Sequence, residues 1–384
     1  MRILYIAHSH PPNHDPMEHI GGMQRMSINL MRELNKMPEV ELISLINTTR
    51  HSVFLPLRVS FFILKLLYLI PKIIRKQKPD VVLFSSMVTA STLAVLPLKT
   101  RTKFVAINHG QDVTLPNRLF QMLIPKIYKK LDAVISVSRA TKKAAAARGM
   151  PADRIVVIPN GSGLKKRGNF PGKEEAKHFL EKKLDRKFND KKVLLTVGRH
   201  IKRKGHCWFV DKVLPMIQSD CVYLVVGEGP ETEKIRQLIE EKDLYEDVYL
   251  LGPVSESGLK YAYATADLFI MPNIPVKGDM EGFGIVIPEA NQAGVPVIAS
   301  DLEGIRDAVK NGKNGYRVEP LQPELFARKI DQILASREYE YLSESSREFT
   351  AKNFSWDIVA REYISTMKQI TTDKVQDAIE TIHA

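Results

Sequence analysis

Glu281 and Glu289 bracket the run EGFGIVIPE, which reads as a loop entering a helix, so the unpaired amides at a helix start lie between two carboxylates. Such amides have no carbonyl partners, and the helix macrodipole places partial positive charge on them, a combination that attracts anions. Carboxylates on either side accept hydrogen bonds from hydroxyls. A diphosphate in the middle with sugar hydroxyls at both ends is the chemistry of a nucleotide sugar. Paired glutamates also occur on solvated helices, so the surroundings have to decide. Upstream, an apolar strand from Val193 to Gly198 ends in Arg199, and Lys204 and Gly205 follow just before an amphipathic helical stretch. Two cations then stand at the C-terminal edge of a strand, where open α/β sheets bind their ligands. The plain alternative for Arg199 and Lys204 is a pair of solvated loop charges.

Strand and helix patterns alternate almost throughout, which predicts parallel sheets with helices on both faces. In the first half the strands are 2–7, 40–45, 80–85, 103–108, 132–137 and 155–159; in the second half they are 193–198, 222–227, 248–252, 268–272 and 295–300. The stretch between the halves is rich in glycine and charge and reads as a linker over 166–189, separating a first domain, 1–165, from a second, 190–354. A chain of 384 residues is too long for one ordinary core, and 44% hydrophobic with 26% charged residues is globular usage. Cys207 and Cys221 make neither a disulfide framework nor a metal cluster and read as small buried hydrophobes. The start, MRILYIAHS, is a short strand without a cleavage pattern, so no signal peptide is expected, and a reducing cytoplasm fits.

Several segments together resemble the family 4 retaining glycosyltransferases of GT-B architecture: GRHIKRKG, the VVGEGPE turn at 225–231, LLGPV at 250–254, ADLFIMPN at 266–273 and EGFGIVIPEANQAGVPVIAS at 281–300. The resemblance covers nearly the whole chain and is weakest over 45–100 and after 355. It implies two doubly wound, Rossmann-like domains facing a central cleft, a nucleoside-diphosphate sugar as donor and a hydroxyl as acceptor. It further implies that Glu281 contacts the donor sugar, that Glu289 binds ribose hydroxyls, and that Gly282, Phe283, Gly284 and Ile285 form the donor-binding helix start. Gly229, Pro253 and Val254 fall where the nucleobase is held, mostly by backbone. Gly22 belongs to a glycine loop facing the diphosphate, and His109 matches the family's cleft histidine; from spacing alone it is a loop residue. The segment 354–367 resembles the family's final helix, which crosses back to the first domain over about 355–384, with Trp356 as packing anchor. One departure stands out: many relatives have paired glycines after the VPVIAS strand, whereas this chain reads DLEGIRD, with Glu303 at the first glycine position.

The reaction implied is transfer with retention, the departing phosphate oxygen taking the acceptor proton. No Asp-x-Asp occurs in the sequence, so Arg199, Lys204 and the Gly284-Ile285 helix start, rather than a metal held by two aspartates, are expected to stabilise the leaving group. Neither a metal nor a cofactor is expected; the nucleotide sugar is a substrate.

Charge is uneven. Residues 1–170 hold 26 Lys and Arg against 9 Asp and Glu, a net +17, and the remainder holds 30 against 35, a net −5. A basic half fits a polyanionic partner or a negative surface. Nucleic acid is disfavoured, since no zinc-finger spacing, RNP-like strand or helix-turn-helix is present. The segment 57–78 is interrupted by Lys65 and broken by Pro71, and its uninterrupted apolar pieces are too short to span a bilayer. With Phe61, Phe62, Leu66, Leu67 and Tyr68 beside Arg58, Lys65, Lys72, Arg75 and Lys76, it reads either as a helix lying on anionic lipid or as an ordinary helix packed on the first sheet. The expected location is therefore cytoplasmic, peripheral on the inner face of the membrane. Three classes stay open: a transferase with a lipid-linked or membrane-proximal acceptor, as in glycolipid or cell-envelope polysaccharide synthesis; the same chemistry on a soluble acceptor such as a sugar phosphate or small alcohol; and a GT-B protein that is not a transferase, such as a nucleotide-sugar epimerase or a binding protein. The base, UDP, GDP or ADP, leaves no trace in side-chain identity.

Overall fold

A computed structural model describes residues 1–11, 21–48, 55–162 and 170–382. The chain divides into two units, one running to Asn160 and rejoined by the chain from Trp356, the other covering Gly161–Ser355. Both are α/β, as expected.

In the first unit β1 (Arg2–His10), β2 (Glu41–Thr48), β3 (Val81–Phe84), β4 (Lys103–Asn108), β5 (Ala133–Ser136) and β6 (Ile155–Val157) form a parallel sheet in the order β2-β1-β3-β4-β5-β6. Strands β3, β4 and β5 are buried along their whole length, as continuous apolar runs covered on both faces must be. The helices of eight or more residues are α1 (Gly22–Leu34), α2 (Leu55–Gln77), α3 (Arg118–Tyr128) and α4 (Arg139–Ala146). On α2 the i, i+4 series Phe62, Leu66, Ile70 and Ile74 is buried in the same core as Leu4, Ile6, Val82 and Phe84. The reading of the 57–78 segment as a helix packed on the first sheet holds for one face, where Phe62 and Leu66 belong to the core, while Phe61 and Tyr68 on the opposite face stand in solvent. No helix among the described residues is long and apolar enough to cross a membrane.

In the second unit α5 (Lys173–Leu184) precedes β7 (Lys192–Val197) and β8 (Cys221–Val226), followed by α6 (Thr232–Glu241), β9 (Val248–Gly252), α7 (Glu256–Thr265), β10 (Leu268–Met271), α8 (Val286–Ala293), β11 (Val297–Ser300), β12 (Gly315–Val318), α9 (Pro323–Ala335) and α10 (Glu338–Asn353). The sheet is parallel, in the order β12-β11-β10-β7-β8-β9. Two expectations need correction. Strand β12 was not foreseen, since four residues opening on glycine carry little β signal. The expected linker over 166–189 is, from 170 onward, part of the second unit: α5 buries Ala176 and Leu180, Phe179 lies 4.2 Å from Tyr261 of α7, and Lys173 pairs with Asp267 at 2.6 Å. Its high charge is the solvated face of an amphipathic helix. Residues 166–169, the rest of that expected linker, lie outside the described residues. The last helix, α11 (Trp356–Ile382), groups with the first unit and packs on α1. Trp356 is only half-buried; Val359, Ala360, Tyr363, Ile364 and Met367, at helical spacing, are the apolar residues that α11 buries among those described.

Candidate active site

The order of each sheet reverses once, between β1 and β3 in the first unit and between β7 and β10 in the second. The crevice beyond the C-terminal ends of strands at such a point is where open α/β sheets bind ligands. In the second unit both sequence-predicted charge groups converge there.

After β7 the chain turns through the short helical segment Lys202–Lys204 and then Gly205, at φ 70°. A Cβ on Gly205 would sit 1.9 Å from the carbonyl oxygen of Pro272, so only glycine lets this turn lie against the chain leaving β10. The approach is sealed by the Ile274 amide donating to the Arg203 carbonyl at 2.9 Å. It also brings Arg203 and Lys204 onto Glu281. Oε2 of Glu281 accepts from Lys204 Nζ at 2.8 Å, from Asn273 Nδ2 at 3.1 Å, and from Arg203 Nη1. Arg203 Nε reaches Asp279 at 3.0 Å. Burial by itself raises the Glu281 carboxyl, but the charges of Arg203 and Lys204 outweigh it and hold the group down at about 2. Burial also lowers the Lys204 ammonium, which Glu281 offsets in part. Glu281 is therefore a permanent carboxylate at neutral pH. Its Oε2 is saturated, while Oε1 has no partner among the described residues and is open to a ligand hydroxyl.

Beyond Glu281, Gly284 takes φ 82° and α8 begins at Val286, with Pro288 in its first turn, where a missing N–H costs no helical bond. Among the described residues no backbone carbonyl accepts from the amides of Gly282 to Val286. The Phe283 ring is buried 5.5 Å from that of Phe354, so this residue offers a ligand its amide and not its side chain. Ile285 is buried as well, and Gly282 is half-buried. Glu289 lies fully buried in the first turn of α8, its Oε2 accepting from Tyr263 Oη at 3.1 Å. Below the loop, Glu303 adopts φ 42° and accepts the Glu281 amide at 2.5 Å, while the Gly304 amide donates to the Glu281 carbonyl at 3.1 Å. The residue that departs from the family pattern is thus a prop of the Glu281 peptide.

Arg199 is exposed at the end of β7 and makes no ion pair among the described residues. The loops after β7, β8 and β9 stack on one another: the His200 amide donates to Glu228 at 2.9 Å, the Glu231 amide to His200 at 2.9 Å, and the Gly227 amide to Gly252 at 2.9 Å. A Cβ on Gly229 would meet the His200 carbonyl oxygen at 2.5 Å, which accounts for glycine there by packing alone. Pro253 is exposed and Val254 half-buried at the same edge.

In the first unit His109 follows β4, and its Nε2 donates to the Ser85 carbonyl at 2.8 Å. Asp112, buried, accepts from the amides of His109 at 2.8 Å and Met87 at 3.0 Å and so ties the loops after β3 and β4 together. Two further histidines, unforeseen, close the end of β1. His8 Nδ1 lies 3.3 Å from Ser86 Oγ, and His10 Nε2 lies 2.9 Å from Ser27 Oγ. Burial, with repulsion from His109 and His10, lowers His8 to about 4; burial lowers His10 to about 4. Both are neutral at pH 7. Gly22 is the first residue of α1, capped by Gly21 in ordinary extended backbone; residues 12–20, which lead into it, lie outside the described residues.

Arg203 and Asn273 were missed. Arg203 is one of four cations between Arg199 and Lys204, and nothing in the spacing says which of them turns inward.

This fold and this site define a GT-B glycosyltransferase. Residues 179–349 match the family described as Glycosyl transferases group 1, and residues 20–164 match that described as Glycosyltransferase Family 4. The two matches take in most of the chain, which belongs to the family 4 glycosyltransferases of group 1 type. An uncharacterised glycosyltransferase of Methanocaldococcus jannaschii is 28% identical over 61% of this chain and 59% of its own length. The GDP-mannose-dependent alpha-(1-6)-phosphatidylinositol monomannoside mannosyltransferase of Mycobacterium tuberculosis is 28% identical over 71% of this chain and 72% of its own length. Anabaena HepE, solved in complex with UDP, superposes with a TM-score of 0.73 at 18% identity, covering 96% of this chain and all of that one.

Proposed function

We propose that the protein is a retaining, metal-independent hexosyltransferase that moves a sugar from a nucleoside-diphosphate donor to the hydroxyl of a lipid-linked or membrane-proximal acceptor in glycolipid or cell-envelope polysaccharide synthesis. The observation that carries the donor half is Glu281: a buried carboxylate held ionised by Arg203 and Lys204, with one oxygen saturated and the other open, next to a row of amides without carbonyl partners. Such a carboxylate accepts a sugar hydroxyl and cannot act as a general acid. The neighbouring amides, Lys204 and Arg199 suit a diphosphate, on which negative charge grows as the anomeric C–O bond breaks. The acceptor oxygen forms the new bond on the same face, and its proton passes to the departing phosphate oxygen. In this reading Glu289, steadied by Tyr263, takes ribose hydroxyls, the Gly229, Pro253 and Val254 edge takes the base, and His109 contacts the donor sugar. The membrane-proximal half draws support from the relative that acts on a phosphatidylinositol mannoside and from the basic first half of the chain.

Arg199 is the clean test, because it is exposed and makes no ion pair among the described residues whose loss would disturb the fold. Arg199→Ala is expected to lower turnover by about 10²–10³, some 2–4 kcal/mol of barrier, with unchanged melting. Activity is expected to survive EDTA. Near-normal turnover in Arg199→Ala, or loss in EDTA that magnesium or manganese restores, would overturn the leaving-group assignment. A thermal-shift panel of UDP, GDP and ADP sugars names the donor, because a ligand of the folded state raises apparent stability with the logarithm of its saturation.

A further inference from the structure

Helices α2 and α3 lie on the same side of the first sheet with the short segment Ser91–Ala94 between them, in contact with both. Their inner residues, Phe62, Leu66 and Ile70 from α2 and Ile124, Ile127 and Tyr128 from α3, share one core. Their outer apolar side chains stand exposed, Tyr68 with the Lys72 ammonium 5.4 Å from its ring centre. Leu57, Phe61, Leu64 and Tyr68 recur at three- and four-residue spacing along α2 and are 64–71% exposed; Leu119 and Met122 on α3 are 75% and 70% exposed. Val95, directly after the intervening segment, is 64% exposed as well. Among the described residues, the large exposed apolar side chains of the first unit all lie here or at the adjoining Leu115.

Charge on this layer is of one sign. From Leu55 to Leu131 the sequence has thirteen Lys and Arg against two acids, Asp80 and Asp112, and Asp112 is buried. Exposed Arg58, Lys65 and Lys72 are interleaved with the α2 row, and exposed Arg118 and Lys126 with the α3 row. An apolar patch of this extent on a soluble face marks an interaction site. Its occupant has to be apolar at the centre and negative at the rim. A nucleic acid meets the second condition and fails the first. A protein partner would need an apolar centre ringed by acids to match this face, whereas anionic lipid supplies both over its whole surface. We infer that α2 and α3 form a two-helix plate that docks on an anionic lipid bilayer, with Phe61, Leu64, Leu119 and Met122 in the acyl boundary and the lysines and arginines at the headgroups. This deepens the membrane-proximal reading of the acceptor but does not depend on the donor chemistry, and α3 is as necessary to it as α2.

Flotation of the full chain with phosphatidylcholine–phosphatidylglycerol vesicles, and with phosphatidylcholine alone, tests the plate without donor or acceptor. Wild type is expected to float with the anionic vesicles only and to fall off as salt rises. Leu119→Ser with Met122→Ser is expected to weaken binding about tenfold or more, as is Phe61→Ser with Leu64→Ser. Lys65→Gln, Lys72→Gln and Lys126→Gln, which replace exposed side chains and keep the helices, are each expected to weaken it roughly fivefold. Donor hydrolysis is expected to be unchanged in all of these, so a failed plate and a failed donor assignment give different results. Wild type that stays with the protein fraction, equal binding to neutral vesicles, an α3 pair that floats like wild type, or self-association that these substitutions abolish would each overturn the proposal.

Discussion

Glu281 shows how two opposed terms set one residue's behaviour. Its pKa, about 2 against an ordinary 4.5, is lowered in the folded state, so the unfolded chain takes up the proton first as pH falls. The stabilisation it brings is complete above about pH 5 and is lost between there and about pH 2, amounting to roughly 3 kcal/mol. Glu281→Gln leaves Lys204 buried without its carboxylate and Arg203 with Asp279 alone, which is expected to cost about 3–5 kcal/mol at pH 7. Urea unfolding at a series of pH values checks both points: the gap between wild type and variant is expected to narrow below pH 5, and a constant gap would refute the charge argument. His8 and His10, lowered to about 4 by burial, add a loss of stability from about pH 6.5 downward in both proteins, which cancels in that difference. At this scale the two glutamates and Lys204 were legible from residue type and spacing. Arg203 was not, because the turn at Gly205 decides which cation points inward.

Elements carry the site through backbone geometry more than through propensity. Gly205→Ala places a methyl group at φ 70° and 1.9 Å from a carbonyl oxygen, so the 202–205 turn has to move away from the chain after β10. The expected loss is about 2–3 kcal/mol in stability together with most of the turnover, measured by chemical denaturation and transfer assay; wild-type values for both would show that the turn has slack. Strand positions were read closely, because buried parallel strands are unbroken apolar runs. The stretch from 173 to 184 was misread as linker, since a helix with little apolar surface differs from a connector only in what it packs on. For α2 the residue pattern allows a helix with two possible uses, and only the sheet beneath it shows that the 62-66-70-74 face is core.

On the scale of the whole molecule, the chain returns to its first unit through α11. Val359, Tyr363, Ile364 and Met367 are all buried, at about 1.5–3 kcal/mol each for full burial of a large apolar side chain. Their sum is comparable with the entire stability of an ordinary domain, about 5–15 kcal/mol. A chain ending at Ser355 is therefore expected to leave the first unit unfolded or molten while the second stays native. Limited proteolysis is expected to yield a resistant fragment near 161–355; protection of 1–160 in the truncated chain would show that α11 is dispensable.

The α/β class, nearly every strand, the two-part division and the candidate carboxylates and cations could all be read from the chain alone, because each rests on local pattern: apolar runs, residue types at fixed spacing, and a family resemblance carried by short motifs. Tertiary structure decided what depends on neighbours distant in sequence. Arg203 and Lys204 meet Glu281 only because β7 and β10 are adjacent where the sheet order reverses, and that contact makes Glu281 a fixed carboxylate with one open oxygen. Glu303 supports the Glu281 peptide because β11 lies beside β10, and the Phe283 side chain is core because Phe354, some seventy positions away, packs against its ring, which leaves its amide for a ligand. A side chain's type limits the chemistry available to it; the partners that folding brings to it select which part of that chemistry is used.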